Sequence, residues 1–323
     1  MVTSKLMHNL NLEYLKNKLN SDLLEIYSNG PISLVNPINY VLSGTGKRIR
    51  PILTFLSADA CGGNAEDAMH VALAVEILHN FTLVHDDIMD DDNTRHGKPT
   101  VHQKWDNGTA ILTGDAMLSL ALMTLQKCQR NNPEILKVFT NGLLAVCEGQ
   151  AIDKEFETKS DVTIEEYVNM IDLKTGYLIG MAAELGALSI TENSKYCSAL
   201  SKYGKLVGRA FQIQDDLLEL YSNTKQMGKS LDSDYLLGKK TYPMLRIKED
   251  YADELNTSLK NAGDNVELGK KLIRNILEKT KIKSEIELLT SHMINEANQL
   301  LIKNDLLSEH IKNFSKLIHN RKK

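Results

Sequence analysis

The residues with the clearest chemical potential are five aspartates within seven positions, at the end of an apolar helical run: Asp86, Asp87, Asp90, Asp91 and Asp92. Asp86 and Asp90 are one helical turn apart and point the same way. Carboxylates this close repel one another unless a cation lies between them. Mg²⁺ suits such oxygen ligands, and in proteins it usually bridges one or two carboxylates to substrate phosphates. The stretch therefore predicts a magnesium site that needs a phosphate-bearing ligand.

A second acidic cluster follows on a predicted helix over residues 195–221, in Phe211-Gln212-Ile213-Gln214-Asp215-Asp216-Leu217-Leu218-Glu219. The remaining surface of both helices is aliphatic. If the helices face each other, they form a pocket for several Mg²⁺ ions and a diphosphate above apolar walls. Such a pocket suits departure of diphosphate from a hydrocarbon, because the metals stabilise charge on the leaving group and the dry walls keep water from the carbocation.

Basic residues follow each acidic cluster and also precede the first one. The loop Ser43–Pro51 combines two glycines with Lys47, Arg48 and Arg50, which favours an anion site, although a basic loop is also typical of solvated surface. Arginine grips phosphate at two points and lysine adds a point charge. His79 lies two turns before Asp86 on the same helix face; a core role and a functional role both remain open for it.

The elements that must position these side chains are predicted to be helices. The chain has 6 prolines, and long stretches between them show apolar residues at helical spacing. We expect helices over 65–92, 107–129, 134–158, 163–172, 175–190 and 195–221, among others. The polar run Glu148–Asp153 interrupts an apolar helix and needs partners, unless it is a solvated face. No shift in composition marks a boundary, so residues 1–323 are predicted to form one all-α domain.

Composition excludes several classes of function. A net charge of -4 gives no general attraction to nucleic acid. The four cysteines are far apart, which indicates reduced thiols in a cytoplasmic protein. The N-terminus is amphipathic and charged, so we expect no signal peptide. The sequence contains no run of 18 uncharged apolar residues, so we expect no integral membrane segment. A P-loop is absent, and an EF-hand fails because Asp91 stands where its loop needs glycine.

Seven short motifs occur in order between residues 40 and 245: Gly46-Lys47-Arg48-Ile49-Arg50-Pro51, Asp86-Asp87-Ile88-Met89-Asp90, Arg95-His96-Gly97-Lys98-Pro99-Thr100, Gly149-Gln150, Lys174-Thr175, Phe211-Gln212-Ile213-Gln214-Asp215-Asp216 and Gly228-Lys229. This order resembles that of the trans-isoprenyl diphosphate synthases, or polyprenyl synthetases. The resemblance implies a single-domain antiparallel bundle of helices around a deep central cavity, usually a homodimer. It also implies head-to-tail condensation of isopentenyl diphosphate with an allylic diphosphate.

The resemblance implies a role for each matching residue. The implied Mg²⁺ ligands, for three ions with bound diphosphate, are Asp86, Asp87, Asp90, Asp215 and Asp216. The isopentenyl diphosphate site would include Lys47, Arg50 and His79, with His96 beside it. Contacts to the allylic diphosphate or the cation are implied for Arg95, Lys174, Thr175, Gln212, Lys229 and Lys239. Three of these residues are assigned to catalysis: Lys174, Thr175 and Gln212. The released diphosphate takes the final proton.

The chain departs from the family pattern at three positions. Glu219 stands where aspartate is usual; it is still a carboxylate, so we expect activity. His96 replaces the second arginine of the usual Arg-Arg-Gly, which weakens one contact to isopentenyl diphosphate or makes it depend on pH. Asp232 stands where glycine is common, with no interpretable effect.

Product length is predicted from Phe81, five residues before Asp86 and about 7.5 Å further down the helix axis. A ring there could form the floor of the tunnel, and an aromatic at this position resembles the geranylgeranyl diphosphate synthase pattern. The prediction is a C20 product, with farnesyl (C15) or longer chains as alternatives. Phe81 could instead be plain core.

Two other functions compete with this one. A class I terpene cyclase also ionises a diphosphate at an aspartate-rich helix, but it uses one substrate and needs no isopentenyl diphosphate site. The stretch Gly46–Pro51 with His79, and the second motif of Asp-Asp type, argue against a cyclase. A non-catalytic scaffold would be expected to show gaps in the motifs, whereas both aspartate motifs are filled.

Overall fold

The computed structural model describes residues 10–44, 46–221, 240–263 and 265–319. Nearly all of this part is helical, and its one sheet is a two-stranded antiparallel hairpin of Thr94–Arg95 (β1) and Lys98–Pro99 (β2). The helices are α1 Leu12–Glu25, α2 Ile32–Leu42, α3 Ile49–Ala60, α4 Met69–Met89, α5 Val101–Lys104, α6 Asn107–Leu125, α7 Asn132–Thr158, α8 Ile164–Ile171, α9 Tyr177–Leu188, α10 Ser194–Tyr221, α11 Tyr242–Ala262, α12 Val266–Lys279, α13 Ile282–Ile302 and α14 Glu309–His319. The predicted all-α class is confirmed.

The centre of the bundle is built from α4, α9 and α10, whose apolar side chains are almost wholly buried. On α4, Val71, Ala74, Val75 and Leu78 recur at helical spacing, and all four are inaccessible to solvent. Burial of such side chains stabilises the fold by roughly 1.5–3 kcal/mol each for the larger ones. Because α4 is anchored along most of its length, its C-terminal carboxylates are held on a rigid support.

Glycines allow α9 and α10 to approach closely. A Cβ atom at Gly204 of α10 would lie 2.7 Å from the Cα atom of Gly180 on α9. Such a distance leaves no space for a side chain, so the two backbones are in direct contact. Glycine weakens a helix, but it allows the backbone of a neighbouring helix to approach closely.

The helix α4 ends earlier than predicted, and the chain around Asp91 shows why. Asp91 has a left-handed backbone, with φ of +52°. Its N–H donates to the carbonyl of Ile88, and the Asp92 N–H donates to the carbonyl of Asp87 at 2.9 Å. This pair of bonds is a Schellman motif, which ends a helix by satisfying its last carbonyls. Asp91 and Asp92 therefore lie beyond the helix, while Asp86 and Asp87 remain on it.

A second difference concerns the predicted helix pair 163–172 and 175–190. The helix that begins after Thr163 is not interrupted at Lys174. Instead a π-helical segment, Asp172–Gly176, joins α8 directly to α9. Such segments are rare within helices and often occur at functional sites. Hydrophobic periodicity does not distinguish them from a short turn.

Candidate active site between two acidic helices

The π-helical segment Asp172–Gly176 connects the two acidic helices through consecutive side chains. Lys174 Nζ lies 2.6 Å from Asp153 Oδ2 on α7 and 3.4 Å from Asp86 Oδ1 on α4. The next residue, Thr175, donates its hydroxyl to Gln212 Oε1 on α10 at 3.1 Å. The two acidic clusters, more than a hundred residues apart in sequence, therefore flank one short segment of backbone.

Close packing holds this segment in place from two sides. A Cβ atom at Gly149 of α7 would lie 2.4 Å from the backbone nitrogen of Lys174, and one at Gly208 of α10 would lie 2.8 Å from the Cα atom of Gly176. Arg209 Nε also donates to Asp172 Oδ1 at 2.7 Å. The positions of Lys174 and Thr175 are thus set by close backbone contacts together with the Arg209–Asp172 pair.

The first acidic cluster divides into exposed and buried carboxylates. The side chains of Asp86 and Asp90 are 15% and 10% exposed. Asp87 is buried and accepts a hydrogen bond from Arg95 Nε at 2.6 Å. Burial alone would lower the pKa of Arg95, but the hydrogen bond and charge of Asp87 outweigh it and raise that pKa. Arg95 is therefore a fixed cation beside Asp86 and Asp92.

The second acidic cluster has the same division. Asp216 is buried and accepts hydrogen bonds from the Tyr167 hydroxyl at 2.5 Å, from Gln212 Nε2 at 3.0 Å and from the Tyr242 backbone N–H at 3.1 Å. Burial raises the pKa of Asp216 to about 6 in spite of these donors. Asp215 and Glu219 remain partly exposed. Asp216 thereby orients Gln212, which in turn receives the hydrogen bond from Thr175.

Arg50 of α3 and His79 of α4 form a basic pair. Arg50 Nη1 lies 3.1 Å from His79 Nε2. Burial, together with the positive charge of Arg50, lowers the pKa of His79 well below its usual value, so the ring is neutral. A guanidinium only donates, so Nε2 accepts and the proton lies on Nδ1. Both His79 Nδ1 and Arg50 Nε are buried without a hydrogen-bond partner. Unsatisfied buried donors fit a site that awaits an anion.

The remaining predicted site residues lie in three places. Lys47 is exposed on the loop before α3, and His96 is at the turn of the β1–β2 hairpin with φ of +51°. Phe81 is buried on α4, edge-on to the His85 ring at 4.8 Å between centroids. Lys229, Lys239 and the departure at Asp232 lie outside the described residues.

The carboxylates of the two acidic clusters fit Mg²⁺ only together with further ligands. Among the described residues, no group of three His, Cys, Asp or Glu side chains could hold a metal ion by itself. Asp86, Asp90 and Asp215 are partly exposed oxygen donors, whereas Asp87 and Asp216 are buried. This donor set fits ions that complete their coordination with diphosphate oxygens and water.

Comparison with known proteins agrees with this geometry. Residues 32–278 match the family model described as polyprenyl synthetase. The chain belongs to the polyprenyl synthetase family. It is 35% identical to the geranylgeranyl diphosphate synthase of Sulfolobus acidocaldarius, over 94% of this chain and 96% of that one. It is 41% identical to the geranylgeranyl diphosphate synthase of Methanosarcina mazei, over 68% of each chain. A crystal structure of geranylgeranyl pyrophosphate synthetase from Pyrococcus horikoshii superposes with a TM-score of 0.85 at 36% identity, covering 96% of this chain and 98% of that one.

Two helices of this polyprenyl synthetase, α6 and α7, are long and apolar enough to cross a membrane by length and composition alone. Core helices of soluble proteins pass the same test. Here α6 buries Met117, Ala121 and Leu125 within the main hydrophobic cluster. Burial of these side chains accounts for part of the apolar composition of α6.

Sequence reasoning missed several residues that shape the site of this polyprenyl synthetase. Asp153 lies in the polar run Glu148–Asp153, whose role the sequence left open, and it is the nearest carboxylate to Lys174. Tyr167 and the pair of Asp172 and Arg209 carried no signal of their own. The one signal in the sequence was the spacing of Asp153 from the Gly149-Gln150 motif. Asp153 lies four residues after Gly149, so both residues are on the same face of the helix, one turn apart.

Proposed function

We propose that this polyprenyl synthetase is a Mg²⁺-dependent short-chain trans-prenyltransferase. It condenses isopentenyl diphosphate head-to-tail with an allylic diphosphate and gives geranylgeranyl diphosphate, C20. The observation that carries the proposal is the bridge formed by Lys174 and Thr175, which reach Asp86 on α4 and Gln212 on α10. A site for diphosphate departure needs both acidic helices at one place, and this bridge supports their convergence.

In the proposed site, Asp86, Asp90 and Asp215 hold the Mg²⁺ ions, and Asp87 and Asp216 support them through Arg95 and Gln212. Three such ions with bound diphosphate would stabilise the charge on the departing group. Arg95 and Lys174 neutralise the same diphosphate, with Lys229 and Lys239 assigned to it from the motifs. Thr175 and Gln212 present oxygen atoms to the allylic cation. Asp153 keeps Lys174 directed at this region.

Isopentenyl diphosphate is assigned to the other basic group. Arg50 and His79 each carry a buried N–H group without a hydrogen-bond partner, and Lys47 and His96 lie on loops. With the pKa of His79 lowered by burial, the ring stays neutral and donates from Nδ1. The second substrate separates this function from that of a class I terpene cyclase.

The C20 length is proposed from Phe81 and from the three relatives described above, which are all geranylgeranyl diphosphate synthases. Phe81 is buried one turn before His85 and Asp86 on α4, where its ring could stop a growing chain. Farnesyl or longer products are the alternatives.

A homodimer is proposed from an apolar surface on α6 and α7. Large side chains there are strongly exposed: Leu112 by 62%, Met123 by 58% and Leu144 by 59%. Exposed apolar patches of this kind are typical of protein interfaces. We also propose one domain over residues 1–323, because α10 contributes side chains to both hydrophobic clusters.

A cytoplasmic location is proposed from the cysteines, all four of which are free thiols. No integral membrane segment and no nucleic-acid partner are proposed, the latter because the net charge is -4.

The function is tested by incubating the protein with Mg²⁺, labelled isopentenyl diphosphate and dimethylallyl, geranyl or farnesyl diphosphate in turn. Chain analysis of the dephosphorylated products gives activity, primer preference and length together. We expect label in C20 chains, and none after Mg²⁺ is removed by a chelator. No incorporation with any primer would refute the synthase function. Conversion of an allylic diphosphate alone to a hydrocarbon would establish a cyclase.

A further inference from the structure

Arg48 differs from the other two cations of the basic loop before α3. Lys47 is exposed and Arg50 lies against His79, but Arg48 is only 6% exposed. Its backbone is left-handed, with φ of +54°. This conformation is uncommon for a residue with a Cβ atom, so the surrounding contacts must stabilise it.

The guanidinium of Arg48 is bonded to protein on three sides. Nε donates to Asn20 Oδ1 of α1 at 2.9 Å, and Nη1 donates to Glu76 Oε1 of α4 at 2.6 Å. Nη2 donates to the carbonyls of Leu42 at 3.2 Å and Gly44 at 2.7 Å. Arginine has five N–H donors, so these four bonds use nearly all its capacity. Arg48 is thus occupied by α1, α2, α4 and its own loop.

Glu76, the charged partner of Arg48, is also buried. Their side chains are 4% and 5% exposed, and the pair forms a salt bridge within the core. Glu76 lies one turn before His79 on the same helix and also accepts a hydrogen bond from Asn80 Nδ2 at 3.3 Å. The salt bridge therefore fastens the loop that carries Lys47 and Arg50 to the helix that carries His79.

We propose that Arg48 and Glu76 are positioning residues for the isopentenyl diphosphate site. They hold Lys47 and Arg50 at a fixed distance from His79, and neither of them contacts the diphosphate. The inference rests on the proposed function. It assigns the middle cation of the Lys-Arg-Ile-Arg sequence to the architecture of the site, while its two neighbours bind the ligand.

The main test is the double variant Arg48→Met/Glu76→Leu. Removing one partner of a buried pair leaves an uncompensated charge, whereas replacing both with apolar residues of similar volume is often tolerated. The double variant also leaves the net charge near the site unchanged. We expect its KM for isopentenyl diphosphate to rise about 10-fold or more, because loosened placement weakens a two-point contact. The KM for the allylic substrate should stay within about twofold.

Two milder variants keep the test decisive if the double variant fails to fold. Arg48→Lys retains a charge opposite Glu76 but loses the fork that reaches the carbonyls of Leu42 and Gly44. Asn20→Ala removes an acceptor on α1 without changing any charge. Both should raise the KM for isopentenyl diphosphate by about threefold, with the same selectivity, since each removes part of the anchor.

The outcomes separate the positioning role from general damage and from the proposed function. Melting temperature and circular dichroism identify the variants that are folded. A selective rise in the KM for isopentenyl diphosphate supports the role. An equal rise in both KM values, or no change in a folded variant, overturns it. A wild-type protein that incorporates no isopentenyl diphosphate refutes the proposed function itself.

Discussion

Replacing Gly149 with alanine is expected to disrupt the active site without touching any substrate. The added Cβ atom would lie 2.4 Å from the backbone nitrogen of Lys174 and 2.8 Å from its Cα atom. Carbon atoms pack best at about 3.5–4.0 Å, so the two segments must separate by roughly 1 Å. Backbone has no rotamer with which to avoid the clash, and Lys174 and Thr175 would move with it.

The size of the effect follows from this displacement. A misplacement of about 1 Å can lower a rate by about 100-fold, which corresponds to roughly 2.7 kcal/mol at the transition state. Stability should change less. Overpacking costs about 1–3 kcal/mol, and the better helix propensity of alanine offsets roughly 0.5–1 kcal/mol of it. We expect kcat/KM for the allylic diphosphate to fall about 100-fold in a protein that remains folded.

Gly142→Ala is the matched control on the same helix. Its Cβ atom would lie 2.4 Å from Met181 Sδ, the far end of a flexible side chain and not a backbone atom. Methionine adapts to such changes, so activity should stay within about twofold of the wild type. Steady-state rates and melting temperatures for both variants check the argument. Full activity in Gly149→Ala, or equal losses in both variants, would refute it.

Three further perturbations test other parts of the site. Phe81→Ala should lengthen the products, which chain analysis would show; an unchanged length distribution would reduce Phe81 to a core residue. Tyr167→Phe removes one of three donors to buried Asp216, so urea unfolding should show a loss of about 1–3 kcal/mol, and a higher Mg²⁺ concentration should be needed for half-maximal rate. Wild-type stability and an unaltered Mg²⁺ requirement would contradict that view of Asp216. Leu112→Glu places a charge in the proposed apolar interface and should yield monomers in light scattering, whereas dimers that persist would exclude this face.

Much of the site could be predicted because its chemistry is concentrated in short motifs. Asp86 and Asp90 share a helix face by periodicity alone, and aspartates so close together require cations. The order of the motifs then indicated the family, which the comparison with known proteins confirmed. The helical class was equally accessible, because long stretches repeat apolar residues at helical spacing.

The different roles of neighbouring residues could not be predicted in this way. Asp86 and Asp87 are alike in sequence, yet one is partly exposed and the other is buried against Arg95. Arg48 and Arg50 stand two positions apart, yet one is bonded within the core and the other meets His79. Side-chain partners of this kind come from distant helices, so local pattern does not specify them.

The amino-acid sequence by itself determined which groups are available: two sets of carboxylates, the cations that follow them, and the glycines between. Tertiary structure decided how they are combined. The π-helical segment Asp172–Gly176 could form between α7 and α10 because Gly149 and Gly208 leave space for its backbone. It places Lys174 and Thr175 between the two acidic helices. That contact joins residues far apart along the chain, so it depends on the packing of α7 and α10 against this segment and not on local sequence.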